Sequence, residues 1–163
     1  DGRWSVDTAT LAPVPHRKGG PPIWSAATVS AGIQRTAKHH DGWFPIGPDA
    51  ATFSRQNKEF RAAATAAGRN LGGLTTAIYL TVSIMEDAAN AEAAINTYLE
   101  DYYGAPAPAM RKFQACKGGT GDQVINFIRS FVEGGAPHVV IRCVGDHRSI
   151  QEILAGRRDE LLS

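Results

Sequence analysis

The segment that most constrains this chain is Pro21-Pro22-Ile23-Trp24-Ser25-Ala26-Ala27-Thr28-Val29-Ser30, followed by a helix-like run and then Asp41-Gly42-Trp43-Phe44-Pro45. It reads as strand, turn, helix, strand. Two successive strands joined by one helix are parallel, and the crossover is right-handed. A parallel sheet gathers the loops that follow its strands at one end, and open α/β sheets bind their ligands there. The segment therefore predicts both an architecture and the place to look for chemistry.

The rest of the chain repeats the alternation. Pro13, Pro15, Gly19, Gly20, Pro21 and Pro22 make residues 1–22 an irregular opening segment. Ile23–Ser25 reads as a strand, with Thr28 or Ser30 as cap of the helix after it. Gly42–Ile46 is a second strand. Residues 50–67, rich in Ala, Arg, Lys and Glu with Phe53 and Phe60 on one face, form a helix. The β-branched run Thr76–Ile84 is a third strand, and an Ala-rich helix opens at Glu86-Asp87-Ala88 and runs to Tyr102.

A short helix is expected from Met110 to Cys116, then a flexible loop at Lys117-Gly118-Gly119-Thr120-Gly121. Residues 122–133 are amphipathic and end at Gly134-Gly135. His138–Cys143 reads as a fourth strand buried on both faces, and a last helix spans 149–162. Four parallel strands alternating with helices place residues 23–163 in one α/β domain of four βα units.

Composition narrows the function. The 163 residues are 43% hydrophobic and 20% charged, as in a globular domain. A net charge of +1 gives no electrostatic case for nucleic acid. No apolar run reaches the roughly 18 residues of a membrane helix. Cys116 and Cys143 lack metal-ligand spacing and read as reduced thiols, so the expected location is the cytoplasm. His39-His40-Asp41 sits at a helix end, where adjacent side chains do not converge on a metal. Lys117-Gly118-Gly119-Thr120-Gly121 lacks the Gly-Lys-Ser/Thr of a phosphate-binding P-loop. Arg142, late in a strand, needs a partner, either an anionic ligand or a buried carboxylate.

The landmarks in order are Pro21-Pro22-Ile23-Trp24, Ala26-Ala27-Thr28, Asp41-Gly42-Trp43-Phe44-Pro45, Glu86-Asp87-Ala88 to Tyr102, Gly119-Thr120-Gly121-Asp122-Gln123-Val124, and Gly134-Gly135-Ala136-Pro137-His138 to Arg142. This order resembles the C-terminal half of the luciferase-like flavin or deazaflavin oxidoreductases, a family of (β/α)8 TIM barrels. The resemblance implies the second half of a barrel, since a whole one takes about 250 residues. It implies FMN or coenzyme F420 as cofactor in the intact protein, and a small organic molecule as substrate. Other implied partners are the missing N-terminal half-barrel or a second copy of the chain, with no nucleic acid and no membrane.

By the same resemblance Ser25, Ala26, Ala27 and Thr28, with Phe44, Pro45, Ile46 and Gly47, would hold the cofactor's phosphate end; Arg142 is a candidate for a substrate or another anion from its place in the strand alone. The family prefers a Gly pair where Ala26-Ala27 stands, and alanine resists positive φ. Trp43 is expected in the core. No catalytic residue is named, because in this chemistry the cofactor carries the reaction. The chain alone is expected to be inactive. Two rival readings are a half-barrel or small α/β binding module without cofactor, and an unrelated complete four-stranded domain.

Overall fold

A computed structural model describes Ser5 and residues 13–162. The expected irregular segment lies outside the described residues up to residue 12, apart from Ser5. From 13 to 22 it forms turns and bends, with no helix or strand. The elements that follow are β1 (Trp24–Ser25), α1 (Ser30–His39), β2 (Gly42–Trp43), α2 (Ala50–Ala66), β3 (Thr75–Ile84), α3 (Ala88–Tyr103), α4 (Ala107–Met110), β4 (Cys116–Gly119), α5 (Gly121–Glu133), β5 (His138–Cys143), α6 (His147–Gly156) and α7 (Arg158–Leu162).

All strand pairs are parallel. β3 is the hub. Its Thr75, Tyr79 and Thr81 amides all point to one edge, donating to Asp41, Pro45 and Ala115 carbonyls. β2 and β4 therefore lie end to end along that edge, joined where the Ala115 N–H meets the Ile46 carbonyl at 3.1 Å. β5 pairs with the other edge from Ala77↔His138 to Val82↔Cys143.

β4 corrects the sequence reading. Cys116–Gly119 is a strand rather than part of a loop, and the helix before it is Ala107–Met110 rather than a segment reaching Cys116. The expected final helix is likewise two, broken at Arg157.

The crossovers explain which helix covers which face. From β1 through β2 to β3 the chain steps one way, with α1 and α2 on the outer face. To form β4 it steps back, and a right-handed return must carry α3 over the opposite, inner face. Gly118 makes this possible, because a Cβ there would overlap the main chain of Ala91 in α3. The next step forward to β5 returns α5 to the outer side.

Outward-facing Ile78, Leu80 and Val82 of β3, with Val139, Ile141 and Cys143 of β5, bury against Ile33, Phe53, Phe60, Val124, Ile128, Phe131 and Ile150. Trp43 is fully buried, its ring stacked 5.3 Å from Phe53 and 5.8 Å from Phe60. Ile95 and Leu99 of α3 form a smaller apolar cluster with Ala107 and Val144.

The inner face is polar and aromatic, with Tyr79, Thr81 and Ser83 of β3 and His138, Val140 and Arg142 of β5. α3 covers its C-terminal part. Trp24 and Val140 remain 39% and 41% exposed. β5 is thus buried on its outer face alone, against the expectation of burial on both.

Candidate functional site

The loops after β1 and β2 meet at the C-terminal end of the sheet. In the first, every carbonyl from Ser25 to Thr28 except that of Ala26 is engaged. Ser25 accepts the Phe44 N–H at 2.9 Å, Ala27 the Trp43 indole Nε1–H at 2.7 Å, and Thr28 the Gln56 Nε2 at 2.7 Å. The amides of Ala27, Thr28, Ile46 and Gly47 donate to nothing among the described residues.

Helix α1 begins at Ser30, and its N-cap Val29 offers no side-chain cap. The expected caps, Thr28 and Ser30, do not serve, because the Ser30 hydroxyl donates instead to the Glu59 carboxylate. An uncapped helix start leaves several N–H groups open, at the positive end of the helix dipole. Such a terminus receives anions.

Helix α2 is closed by contrast. Asp49 Oδ1 accepts the Thr52 amide at 2.7 Å, and Oδ2 accepts the Thr52 hydroxyl at 2.9 Å. The Thr52 backbone bond, partly opposed by desolvation, holds the Asp49 carboxyl below its ordinary range. Of the two helix starts at this end, α1 is the one open to an anion.

A cavity of about 260 Å³ opens between the two loops, lined by Thr28, Ile46, Gly47, Pro48, Thr52, Gln56, Lys112 and Phe113. Lys112 and the largely exposed Phe113 come from the connection between α4 and β4. Sequence reasoning missed both. The one local signal was a cation and an aromatic side by side, in a segment read as helix.

The structure brings Thr28, Ile46 and Gly47 together in this cavity. Ser25, Ala26 and Ala27 shape its wall without lining it. Phe44 turns to the inner face, 5.9 Å from Trp24 and 6.4 Å from Tyr79, while the Pro45 carbonyl accepts the Tyr79 N–H. The Ala26-Ala27 pair needs no positive φ, since no described non-glycine residue has one. A Cβ on Gly32 would lie 2.9 Å from the Ala27 Cβ, so the glycine that this turn requires stands one helical turn further on.

Arg142 has no carboxylate partner among the described residues. Its Nε donates to the Tyr79 hydroxyl at 3.2 Å, and its guanidinium carbon lies 5.7 and 5.8 Å from the ring centroids of Tyr98 and Tyr102. His40 serves as the C-cap of α1, its N–H donating to Thr36, and the Asp41 carboxylate accepts the Ile23 amide at 2.8 Å. Among the described residues no helix is long and apolar enough to cross a membrane.

The profile described as luciferase-like monooxygenase matches residues 1–138. No curated protein matches. Among solved structures, an F420-dependent secondary alcohol dehydrogenase in complex with an F420–acetone adduct is similar at 14% identity and TM-score 0.71, over 86% of this chain and 48% of that one. The long-chain alkane monooxygenase LadA is similar at 16% identity and TM-score 0.66, over 95% and 46%. The coenzyme F420-dependent tetrahydromethanopterin reductase from Methanopyrus kandleri follows at 15% and 0.60, over 82% and 48%. The chain spans about half the length of these proteins. Its α/β fold of parallel strands alternating with helices matches part of a TIM barrel.

Proposed function

We propose, because the chain belongs to the luciferase-like monooxygenase family, that it is the C-terminal part of a flavin- or deazaflavin-dependent oxidoreductase acting on a small organic substrate. Its share of the site is the phosphate end of FMN or F420. The carrying observation is one cavity lined by Thr28, Ile46, Gly47 and Lys112, in which the amides of Thr28, Ile46 and Gly47 have no acceptor among the described residues; the uncapped start of α1 follows directly after Thr28 in the chain. A phosphate is matched by N–H donors, a hydroxyl and a cation; Thr28 and Lys112 supply the last two.

The residues present fit such a group. The bound cofactor supplies the redox chemistry. This chain's residues bind and orient it: the α1 terminus and loop amides grip the phosphate, Lys112 adds charge, and Phe113 shields one side of the cavity. Ser25, Ala26 and Ala27 set the loop, and Ile46 and Gly47 form the second wall. The exposed inner face around Trp24 and Val140 is the side on which the other half of the barrel closes.

The test is titration of the complete protein with FMN and with F420, followed by cofactor fluorescence. Saturable binding of one of them, weakened by Thr28→Val, supports the reading. Binding of neither sinks it.

A further inference from the structure

The inner face of the sheet carries a cation whose surroundings are aromatic rather than acidic. Arg142 stands next to last in β5, near the C-terminal end of the sheet. Tyr98 and Tyr102, one turn apart on α3 and stacked at 5.6 Å, flank its guanidinium, and Tyr79 takes its Nε–H. Among the described residues Arg142 has no carboxylate partner, and its guanidinium contacts are the three tyrosines alone.

A guanidinium has five N–H donors in a planar fork, and one is used here. The remaining edge matches a carboxylate or sulfonate in two-pronged geometry. The Tyr79 oxygen accepts from Arg142, which leaves its own O–H to donate. Burial pushes the Tyr98 phenol up in pKa, so it too stays a neutral donor. The rings hold the fork in place through cation–π contact. Tyr102 and Tyr103 present exposed apolar surface beside it, suited to a carbon body rather than a bare inorganic ion.

We propose that Arg142, with Tyr79, Tyr98 and Tyr102, anchors a small organic acid, a carboxylate or sulfonate with an apolar body, on the inner face. This names a substrate class for the function proposed above, and rests on that reading for the word substrate alone. Binding itself needs no cofactor.

The experiment is an NMR titration of the isotope-labelled full chain with sodium hexanoate and sodium hexanesulfonate. The readouts are the Arg142 Nε–H and the rings of Tyr79, Tyr98 and Tyr102. Hexanol and sodium sulfate at matched ionic strength are the controls. Both acids are expected to shift these signals saturably, hexanol and sulfate to leave them nearly unmoved, and Arg142→Gln to weaken the acids about tenfold or more. Equal response to hexanol, equal response to sulfate, or unchanged affinity in Arg142→Gln would each overturn the proposal.

Should Arg142→Gln fail to fold, the exposed Tyr102→Ala serves instead. Severalfold weaker hexanoate binding supports the anchor, and unchanged binding defeats it. A protein that binds hexanoate but neither FMN nor F420 keeps this site and loses the cofactor reading. One that binds a cofactor but not the acids does the reverse.

Discussion

The Gln56 side-chain amide donates to the Thr28 carbonyl at 2.7 Å, tying helix α2 to the loop that opens α1. The bond fixes the Thr28 carbonyl at the wall of the cavity, which Thr28 and Gln56 both line. A typical hydrogen bond contributes about 1 kcal/mol net. Gln56→Leu is expected to lower stability by about that amount, and to weaken FMN or F420 binding by a larger factor. Urea unfolding and fluorescence titration of the complete protein separate the two effects.

On the proposed function Lys112, at the cavity wall, meets a phosphate and not a ring. Lys112→Gln should reduce affinity for FMN while leaving riboflavin, which lacks the phosphate, nearly unaffected. The difference should shrink as salt is raised, because exposed charges are screened beyond about 10 Å at 0.1 M ionic strength. Equal losses for FMN and riboflavin would remove Lys112 from the phosphate site.

Gly118 lets main chain lie against main chain. Gly118→Ala would drive a methyl into the Ala91 backbone, and overpacking of this kind costs about 1–3 kcal/mol. Gly156, with open space around it, is the control. A lower melting temperature for Gly118→Ala and a nearly unchanged one for Gly156→Ala is the expected pair of results.

Trp43 joins the core to the site. Its ring stacks on Phe53 and Phe60, and its Nε1–H holds the Ala27 carbonyl at 2.7 Å. Trp43→Phe keeps an aromatic ring and loses the bond to the partly buried Ala27 carbonyl, at about 1 kcal/mol. Trp43→Ala should cost about 3–5 kcal/mol, measured by denaturant unfolding.

Asp49 gives a pH dependence. Its folded pKa lies below the unfolded value, so its stabilisation is fully present above the unfolded pKa of about 4. It is lost as pH falls through the lower folded value. Asp49→Ala removes an N-cap worth about 0.5–2 kcal/mol. The deficit should be visible at pH 7 and narrow toward pH 3 in parallel thermal melts.

α5 was legible from its apolar periodicity, α2 from its helix-forming composition with Phe53 and Phe60 on one face, and β3 and β5 from their β-branched and apolar runs. β4 was not. Cys116-Lys117-Gly118-Gly119 has the composition of a turn, yet its glycine answers the close approach of α3, a contact the sequence does not display. Thr28, Ile46 and Gly47 could be found because they directly follow strands. Lys112 and Phe113 could not, since the Ala115 bond to Ile46 that begins β4 brings them there.

The central place of β3 has a consequence for how the chain is made. When β3 leaves the ribosome, β2, with β1 on its far side, can already pair with it. Half of that edge still waits for Cys116–Gly119, and the whole of the other edge waits for His138–Cys143. Unpaired strand edges recruit foreign strands. During synthesis of α3 and α5 the most apolar strand of the protein is thus open on both sides, so yield during expression should depend on how fast the last third of the chain arrives.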